Sequence, residues 1–365
     1  MVTKSGVVEG WGDPNQKVAG PLGHAPLRRP DSVRRTMALE ATWPEGETGL
    51  GRIDGRARDI YTASFAAGAM PSAPTVLDQA EIHTVIGRNR DIVNLESDPA
   101  PTGIDELIGC RGGGHLRIAI QDHLPDERAL GTPLYLLLDD LAGTTLVAPF
   151  AWSRWNPDWM NANNSDEKGD AAVPVRVTKP TEQEMADRRA RMENICVGFA
   201  AGSSAFSEHQ SAHRVHPVVS LVNPLDPDGW HSLPELPPKS FRRARRIDVW
   251  LDADDSDLIR VDAMFQDSAG DPDVWRVAIH EYGYTATASR STGLLTAIDA
   301  DPRVLPFLEC PSAKENLQWL VGTPIAELRQ TVLDKLRSTN GCTHLNDACR
   351  ALAEVPVLAA HLTES

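Results

Sequence analysis

Four side chains that could do chemistry lie within eight positions near the C-terminal end of the sequence, in GCTHLNDACRALAEV at residues 341–355: Cys342, His344, Asp347 and Cys349. In a helix, His344 and Asp347 would lie on neighbouring turns, and the carboxylate could orient the imidazole for proton transfer. An exposed first turn with an incidental ion pair is the alternative. Cys342 would precede the helix, where a thiolate is stabilised, although no partner base is identifiable. Cys349 is expected to be a small buried apolar group.

A second group of polar side chains occurs in VAIHEYGYTA, residues 277–286. If this stretch is a strand, His280, Tyr282 and Tyr284 point to one face of a sheet. A histidine and two phenols could supply a base, an acid and a donor to a developing oxyanion. The alternative is an aromatic sheet surface with an incidental histidine. Arg290, a few positions further on, is predicted to bind substrate together with Tyr284.

Two histidines with the spacing of helix-borne metal ligands, His209 and His213, are followed by no evident third ligand. Gln210 stands where the common zinc-protease motif has a glutamate, so no metal site is predicted. A metal-dependent hydrolase built on the two histidines is nevertheless retained as an alternative. The glycine-rich stretch 110–120 matches neither nucleotide-binding pattern, and no cofactor is predicted.

Tryptophans are concentrated in the middle of the chain: Trp152, Trp155, Trp159 and Trp230, with His231 beside the last. Such side chains suit the wall of a pocket for an aromatic ligand. We therefore predict that Trp152, Trp155, Trp230 and His231 bind substrate. The alternative is that the tryptophans attach a long connection to the core.

The elements that must position these groups show an internal similarity. The stretch RIDGRARD at 52 matches RVDAMFQD at 260, Arg35 aligns with Arg246, and Gly109 aligns with Gly322. The stretch at 131 likewise matches the one at 342, and His83 could correspond to His280. Alternating and helical periodicities predict that each copy contains strands followed by helices.

The predicted fold is therefore α+β, with two related halves around a pseudo-twofold axis. Thr323, Thr181 and Thr343 are predicted to begin helices. The predicted segments are an extended N-terminal arm (1–31), a divergent first half (32–147), a Trp-rich connection with one helix (148–240), a second half (241–356) and a C-terminal tail (357–365).

Composition restricts the choice of partner. The net charge of −15 argues against nucleic acid and against an anionic membrane. The basic run FRRARRIDVW is expected to be a solvated edge of the sheet. No apolar run is long enough to span a bilayer, and five irregularly spaced cysteines favour reduced thiols and a cytoplasmic location.

The second half resembles a bacterial family catalogued as a domain of unknown function. The motifs that carry the resemblance are RRARRIDV, VDAMFQDS, IHEY, LECPSA at 308–313 and GCTHLND. They occur in order over about 241–356, and the first half is expected to be a divergent copy. Relatives tend to occur in bacteria rich in aromatic and steroid catabolism. The resemblance implies enzymology on hydrophobic small molecules and assigns no catalytic residue.

These observations lead us to expect a cofactor-independent lyase or isomerase acting on an aromatic, lignin- or steroid-derived metabolite, for example by retro-aldol loss of formaldehyde. His280 would be the base, Tyr282 the acid or donor, and His344 would be oriented by Asp347. A binding module without catalysis is a second hypothesis, and a metal-dependent hydrolase is a third. A homodimer is expected because extended apolar arms often join subunits.

Overall fold

One eight-stranded antiparallel sheet forms the centre of the protein, in the order β4-β3-β2-β1-β5-β6-β7-β8. The computed structural model describes residues 20–156, 182–206 and 215–362. The strands are β1 Ser32–Thr42, β2 Gly51–Thr62, β3 Thr75–Ile86, β4 Ile92–Asp98, β5 Ser240–Leu251, β6 Leu258–Gly270, β7 Arg276–Ser289 and β8 Leu295–Val304. The sheet and its helices give the α+β class that the sequence predicts.

Helices follow each group of four strands. The described α-helices are α1 Gly114–His123, α2 Pro125–Leu130, α3 Pro133–Val147, α4 Glu182–Met192, α5 Leu328–Lys335, α6 Thr343–Arg350 and α7 Val355–Ala359. Longer 3-10 segments cover Ala148–Arg154 and Cys310–Leu320. The predicted helix start at Thr181 and the residue Trp159 lie outside the described residues.

The sheet has the same arrangement on either side of its central pair, β1 and β5. These two strands run antiparallel, with Met37 opposite Arg245 near the middle of the pairing. The β2–β3 and β6–β7 pairings each contain a bulge, directly after Asp59 and Asp267 respectively. Each half therefore repeats the other's strand order and the place of its irregularity.

Two glycines occupy matching turns at the outer strands. Gly109 and Gly322 both have positive φ, at 85° and 82°, where a side chain would be strained. Their backbone N–H groups donate to Ile92 and Leu295, which are the first residues of β4 and β8. The alignment of these glycines in the sequence thus corresponds to one structural role.

The alignment of Arg35 with Arg246 was wrong by three positions. Both β1 and β5 begin with a serine, and Arg35 and Arg243 each bind an aspartate 24 residues further on. Arg35 therefore corresponds to Arg243. The proposed match of His83 with His280 also fails, because His280 lies opposite Asp267 while Asp78 lies opposite the corresponding Asp59.

The two faces of the sheet are covered differently. Helices and 3-10 segments pack on one face, where α3 contacts β1, β2 and β3 and α6 contacts β7. On the other face, the segment around Ala25 and the connection around Trp230 pack against Ala244 and Met264. In the described part of the chain, Pro133–Arg154 alone is long and apolar enough to cross a membrane, and 78% of its apolar window is buried inside the protein.

The basic run in β5 is buried, which corrects the expectation of a solvated edge. Arg242, Arg243, Arg245 and Arg246 are between 0% and 5% exposed, because β5 lies at the centre of the sheet. Each guanidinium binds a carboxylate from another part of the chain or from its own strand. Buried charges of this kind require such partners, since an unpaired charge would carry its full desolvation cost.

Reciprocal ion pairs join the central strands. Arg34 of β1 binds Asp248 of β5, and Arg242 of β5 binds Glu40 of β1. Because Arg34 and Arg242 occupy the same position after the first serine of their strands, the two pairs are equivalent across the centre of the sheet. These ion pairs therefore connect the two halves on the face of the sheet that the segment around Ala25 covers.

Helix starts differ from the predictions by a few residues. Cys342, not Thr343, is the N-cap of α6, and its side chain caps no backbone N–H. Thr323 does not begin a long helix, because a 3-10 turn at Ile325–Glu327 precedes α5. Four apolar side chains with helical spacing in this stretch are nevertheless buried: Ile325, Leu328, Val332 and Leu336 are at most 1% exposed.

Candidate functional site

Asp267, His280 and His344 meet where the second half's helices pack on its strands. Asp267 and His280 are direct cross-strand partners on β6 and β7. His344 lies in the first turn of α6, which packs on β7. One ligand-type atom of each of the three residues lies within 4.8 Å of the other two. The cluster therefore joins two sequence motifs that were predicted separately.

Asp267 is fully buried and is held by an arginine. Its carboxylate accepts two hydrogen bonds from Arg243, at 2.8 and 3.0 Å, in the fork geometry that makes such pairs strong. Burial alone would raise the pKa of this carboxyl, but Arg243 and His280 bring it well below its usual range. Asp267 is therefore a permanent anion at the base of the cluster.

Space for Arg243 comes from a glycine in the middle of α3. A Cβ at Gly143 would lie 2.3 Å from Nη1 of Arg243, a distance that no real contact tolerates. The same nitrogen lies 3.8 Å from both Asp140 and Asp347. A helix of the first half thus takes part in positioning a group in the second.

His280 is bound by Asp267 on one side and stacked by a second imidazole on the other. Its Nδ1 lies 3.2 Å from Oδ2 of Asp267. Its ring stacks on His344, with 3.5 Å between centroids and 20° between planes. Burial, followed by the neighbouring His344, lowers the pKa of His280 to about 4, against the opposing effect of Asp267. His280 is therefore a neutral imidazole at physiological pH.

The imidazoles of His280 and His344 and the phenol of Tyr282 differ in their exposure, which decides which of them a substrate could contact. The side chain of His344 is 17% exposed, whereas that of His280 is 8% exposed and almost buried. Tyr282 is on the same strand two residues later and is 0% exposed. Its hydroxyl lies against the Cys342 sulfur, outside good hydrogen-bond geometry, and burial raises its pKa well above the usual value. The imidazoles are thus better placed than the phenol to touch a substrate.

Two thiols lie beside the imidazoles. Cys342, the N-cap of α6, lies near the Cys310 thiol and His344. The Cys310 thiol, followed by His344 and Tyr282, holds the pKa of Cys342 well below its usual value, although burial acts in the opposite direction. Both cysteines are free and buried.

The three-residue cluster has the composition of a metal site but an unfavourable arrangement. A metal ion bound by both imidazoles would lie in the plane of each ring, along the nitrogen lone pair. Because the rings are stacked, an ion bound to one nitrogen of each ring would lie outside both ring planes. Its displacement from each plane would be about half of the 3.5 Å between the centroids. Asp267 is moreover already bound by both arms of Arg243. Acid–base chemistry fits this donor set better than metal binding.

Asp347 does not orient His344. Its carboxylate accepts a hydrogen bond from Arg117 at 2.9 Å and a longer one from Arg350 at 3.4 Å. The carboxylate near His344 is instead Asp267, whose Oδ2 lies 4.0 Å from Nε2. The spacing in α6 suggested the wrong acid because the correct one lies on a strand distant in sequence.

Two further predicted binding residues lie away from the cluster. Tyr284 shares the helix-covered face with Tyr282, but it is 2% exposed and lies against Arg245 and Cys349. Arg290 follows the far end of β7, where its N–H donates to Asp257. Ten residues of strand separate Arg290 from His280, which corresponds to about 30 Å. Arg290 is therefore not part of this site.

The tryptophans do not form one wall. Trp155 donates to the carbonyl of Gly270, three residues from Asp267 along β6, or about 10 Å. Trp152 packs edge-on against Trp43, with 5.6 Å between centroids. Trp230 lies on the opposite face of the sheet, so of these three tryptophans only Trp152 and Trp155 lie near the end of β6 that carries Asp267.

His231 is also on the opposite face and has a structural environment. Its Nδ1 lies 2.9 Å from the hydroxyl of Thr36. Burial, reinforced by nearby arginines, lowers its pKa to about 3. A neutral histidine beneath the connection contacts the sheet and not the cluster around His280.

Sequence reasoning missed three members of the cluster: Asp267, Arg243 and Cys310. The recurring arginine and aspartate, 24 residues apart in both halves, were the signal that could have identified the first two. Cys310 gave no such signal, since its neighbour Cys342 is on another element. The predicted His209 and His213 lie outside the described residues.

Comparison with known proteins concerns the second half of the chain. Residues 241–358 match the model of a family described as a protein of unknown function (DUF2889). No curated protein and no solved structure matches the chain significantly. The matched range begins in β5 and ends in α7, so it contains Arg243, Asp267, His280 and His344. The part of the chain that carries the cluster is thus the part that resembles this uncharacterised family.

Proposed function

We propose that the protein is an enzyme that performs acid–base chemistry at His280 and His344, and that it is a cofactor-independent lyase or isomerase. The observation that carries this proposal is the environment of His280. A buried imidazole with a pKa near 4 is neutral, bound to a permanent carboxylate and stacked on a second imidazole. A neutral histidine of fixed orientation can accept a proton, and the carboxylate beside it stabilises the charge that it then gains.

The chemistry follows from the positions of the groups. His280 would take a proton from a substrate hydroxyl, and Asp267 would stabilise the imidazolium that forms. His344, the more exposed ring, would hold the substrate oxygen or return a proton to the product. Arg243 keeps Asp267 in place and prevents it from being protonated. No step requires a group other than these side chains and the substrate.

The specific reaction to test is a retro-aldol cleavage of a hydrophobic aromatic metabolite. Loss of the hydroxyl proton would let the adjacent carbon–carbon bond break, releasing formaldehyde, and the carbanion left behind would take the proton back from the imidazolium. Trp155 and Trp152 are the aromatic groups near the catalytic end of β6. They support an aromatic substrate, which is also what the resemblance implies.

A screen of lignin- and steroid-derived compounds with mass detection and a formaldehyde assay tests the proposal. We expect one compound class to be converted, and His280→Gln to reduce turnover by ~10²-fold or more while ligand binding persists. His83→Gln is the matched control, because His83 also contacts an aspartate, Asp54, but on an exposed surface. Binding without conversion of any compound would favour the non-catalytic binding module instead.

The hydrolase alternative has a separate test. His209 and His213 lie outside the described residues, so the structure offers no observation in its favour. Elemental analysis of the purified protein, with and without His209→Ala, would detect a stoichiometric metal. A homodimer and a cytoplasmic location likewise stay predictions, the former to be checked by light scattering.

The repeated features also support an origin of the two halves by internal duplication. The symmetric strand order, the matching bulges and the equivalent ion pairs Arg35–Asp59 and Arg243–Asp267 recur in both halves. In the first half, Asp78 occupies the place of His280. Only the second half has an imidazole there, which supports assigning the proposed activity to that half.

A further inference from the structure

We infer that Arg276, together with Ser240 and Arg242, binds a small oxyanion of the phosphate type between the sheet and the connection that covers it. Arg276 donates to the hydroxyl of Ser240, two residues from Arg242 on β5, and Arg242 donates to the carbonyl of Pro234 in the connection. The three residues thus lie on the face of the sheet opposite His280. The inference is therefore independent of the proposed acid–base function.

Arg276 differs from the other buried arginines in its partners. Ten arginines are buried in residues 20–156, 182–206 and 215–362, and nine of them form an ion pair with an aspartate or a glutamate. Arg276 is the tenth, and it donates only to neutral groups, the carbonyl of Ser268 at 3.0 Å and the hydroxyl of Ser240 at 2.7 Å. A buried charge without a counterion is costly, so this guanidinium favours an anion from outside the chain.

The carboxylate that acts on Arg276 is already bound by a second arginine. Glu40 accepts from Arg242, with 2.9 Å to Nε and 2.7 Å to Nη2. Burial, followed by the neighbouring Arg242, lowers the pKa of Arg276 to about 9, against the opposing effect of Glu40, so the group is still charged at neutral pH. One carboxylate therefore serves two buried guanidinium groups, and a further anion would balance the charge.

The hydrogen-bonding edge of Arg276 has the geometry of a carboxylate fork with one position open. Elsewhere in the protein, an aspartate bridges Nε and Nη2 of Arg34, Arg35, Arg243 and Arg245. In Arg276, Nη2 donates to Ser240 instead, and the buried Nε has no acceptor among the described residues. Because the Ser240 hydroxyl accepts this bond, its own proton is available. An oxyanion at this edge would accept from both Nε and the hydroxyl.

The enclosure of the site restricts the ligand to a small one. Ser240 is fully buried, and the N–H of Val218 in the connection donates to the carbonyl of Arg276 at 3.0 Å. Arg242 uses Nε and Nη2 for Glu40 and the connection, which leaves its Nη1 as a further donor. Phosphate carries charge on oxygens that point in several directions, so it suits donors from two strands.

The test uses the full-length protein, prepared in chloride buffers without phosphate or sulfate. Ion chromatography after denaturation measures any oxyanion that the protein has retained. Thermal unfolding measures the response to added inorganic phosphate, with sodium chloride of the same ionic strength as the comparison. We expect either one equivalent of retained oxyanion or a saturable rise in Tm with phosphate, because a ligand that binds only the folded state stabilises it.

Two variants locate the binding. Arg276→Gln removes the charge and the Nε donor, and we expect it to lose a retained oxyanion or to weaken phosphate binding by ~10-fold or more. Ser240→Ala removes the hydroxyl and keeps the charge, and it should weaken binding less. Arg260→Gln is the matched control, since Arg260 is a partly exposed arginine of β6 that is paired with Asp252. It should bind phosphate as the wild type does.

Two outcomes would overturn the inference. One is a wild-type protein that retains no oxyanion and whose Tm depends on ionic strength alone. The other is equal phosphate binding in the wild type and in Arg276→Gln, which would mean that phosphate binds elsewhere. The wild-type measurements and Ser240→Ala, which keeps the buried charge, decide the matter even if Arg276→Gln does not fold.

Discussion

The rings of His280 and His344 stack with 3.5 Å between their centroids, although His280 lies on strand β7 and His344 on a helix of a later segment. Stacked imidazoles cannot both be charged without strong repulsion. The pair can therefore take up at most one additional proton without strong repulsion, and Asp267 determines on which ring that proton is stabilised. This limit is the basis for the predictions that follow.

A comparison of Asp267→Asn with Asp59→Asn should distinguish an effect on catalysis from an effect on stability. Each substitution removes the fork-bound carboxylate of a buried arginine and is expected to lower the free energy of unfolding by about 3–5 kcal/mol. Only Asp267→Asn also removes the partner of His280, so only it should abolish turnover. Urea unfolding and turnover of both variants provide the measurement. Equal turnover in the two variants would remove Asp267 from the proposed mechanism.

The activity should persist to unusually low pH for a histidine-dependent enzyme. Since the base must be neutral and the pKa of His280 is about 4, kcat/KM should fall only as the pH drops through about 4. An ordinary histidine would lose its activity near pH 6.5. The pH–rate profile at limiting substrate concentration measures this limb. A midpoint near pH 6.5 would show that the rate depends on a group other than His280.

Stability should decrease in mildly acidic solution because of His231. Its pKa is about 3 in the folded protein and near 6.5 when unfolded, so the unfolded state binds more protons between these values. The free energy of unfolding should therefore fall as the pH is lowered from 6.5, by about 1.4 kcal/mol per unit for this group. Unfolding of wild type and His231→Asn between pH 7 and 4.5 tests the effect. We expect a shallower dependence in the variant, and equal slopes in the two proteins would contradict the assignment to His231.

Tyr282→Phe tests whether the phenol touches substrate, as the sequence led us to expect. Because the hydroxyl is fully buried and poorly hydrogen-bonded, its removal should change the free energy of unfolding by less than about 1 kcal/mol. Turnover should remain within several-fold of wild type. A loss of turnover comparable to that of His280→Gln, with stability retained, would restore Tyr282 as the acid.

Local patterns predicted the strands and their faces well. The alternation in VAIHEYGYTATAS corresponds to β7, and His280, Tyr282 and Tyr284 lie at alternate positions that contact the helix-covered side. Both the two-residue period of a strand and the burial of one face can be recognised from neighbouring residues in the sequence. The apolar stripe of α5 and its preceding turn was predictable for the same reason.

The central strand was misread because its counterions are distant in sequence. Four arginines in five residues resemble a solvated surface when they are judged by composition. Their partners Glu40, Asp140 and Asp267 come from β1, α3 and β6, and only the folded sheet brings them together. The same limitation explains why Asp347 was preferred over Asp267 as the partner of His344. Cross-strand neighbours cannot be recognised until the strand pairing is known.

Reciprocal charge pairing across β1 and β5 has a consequence for what constitutes an autonomous folding unit. A fragment limited to 241–358, the range shared with the uncharacterised family, would retain Arg242 and Arg245 but lose Glu40 and Asp140. Two guanidinium groups would then be left in an apolar interior with no anion to offset them. In this protein, residues 32–147 therefore act as an internal counterion donor to the first strand of the range that matches the family.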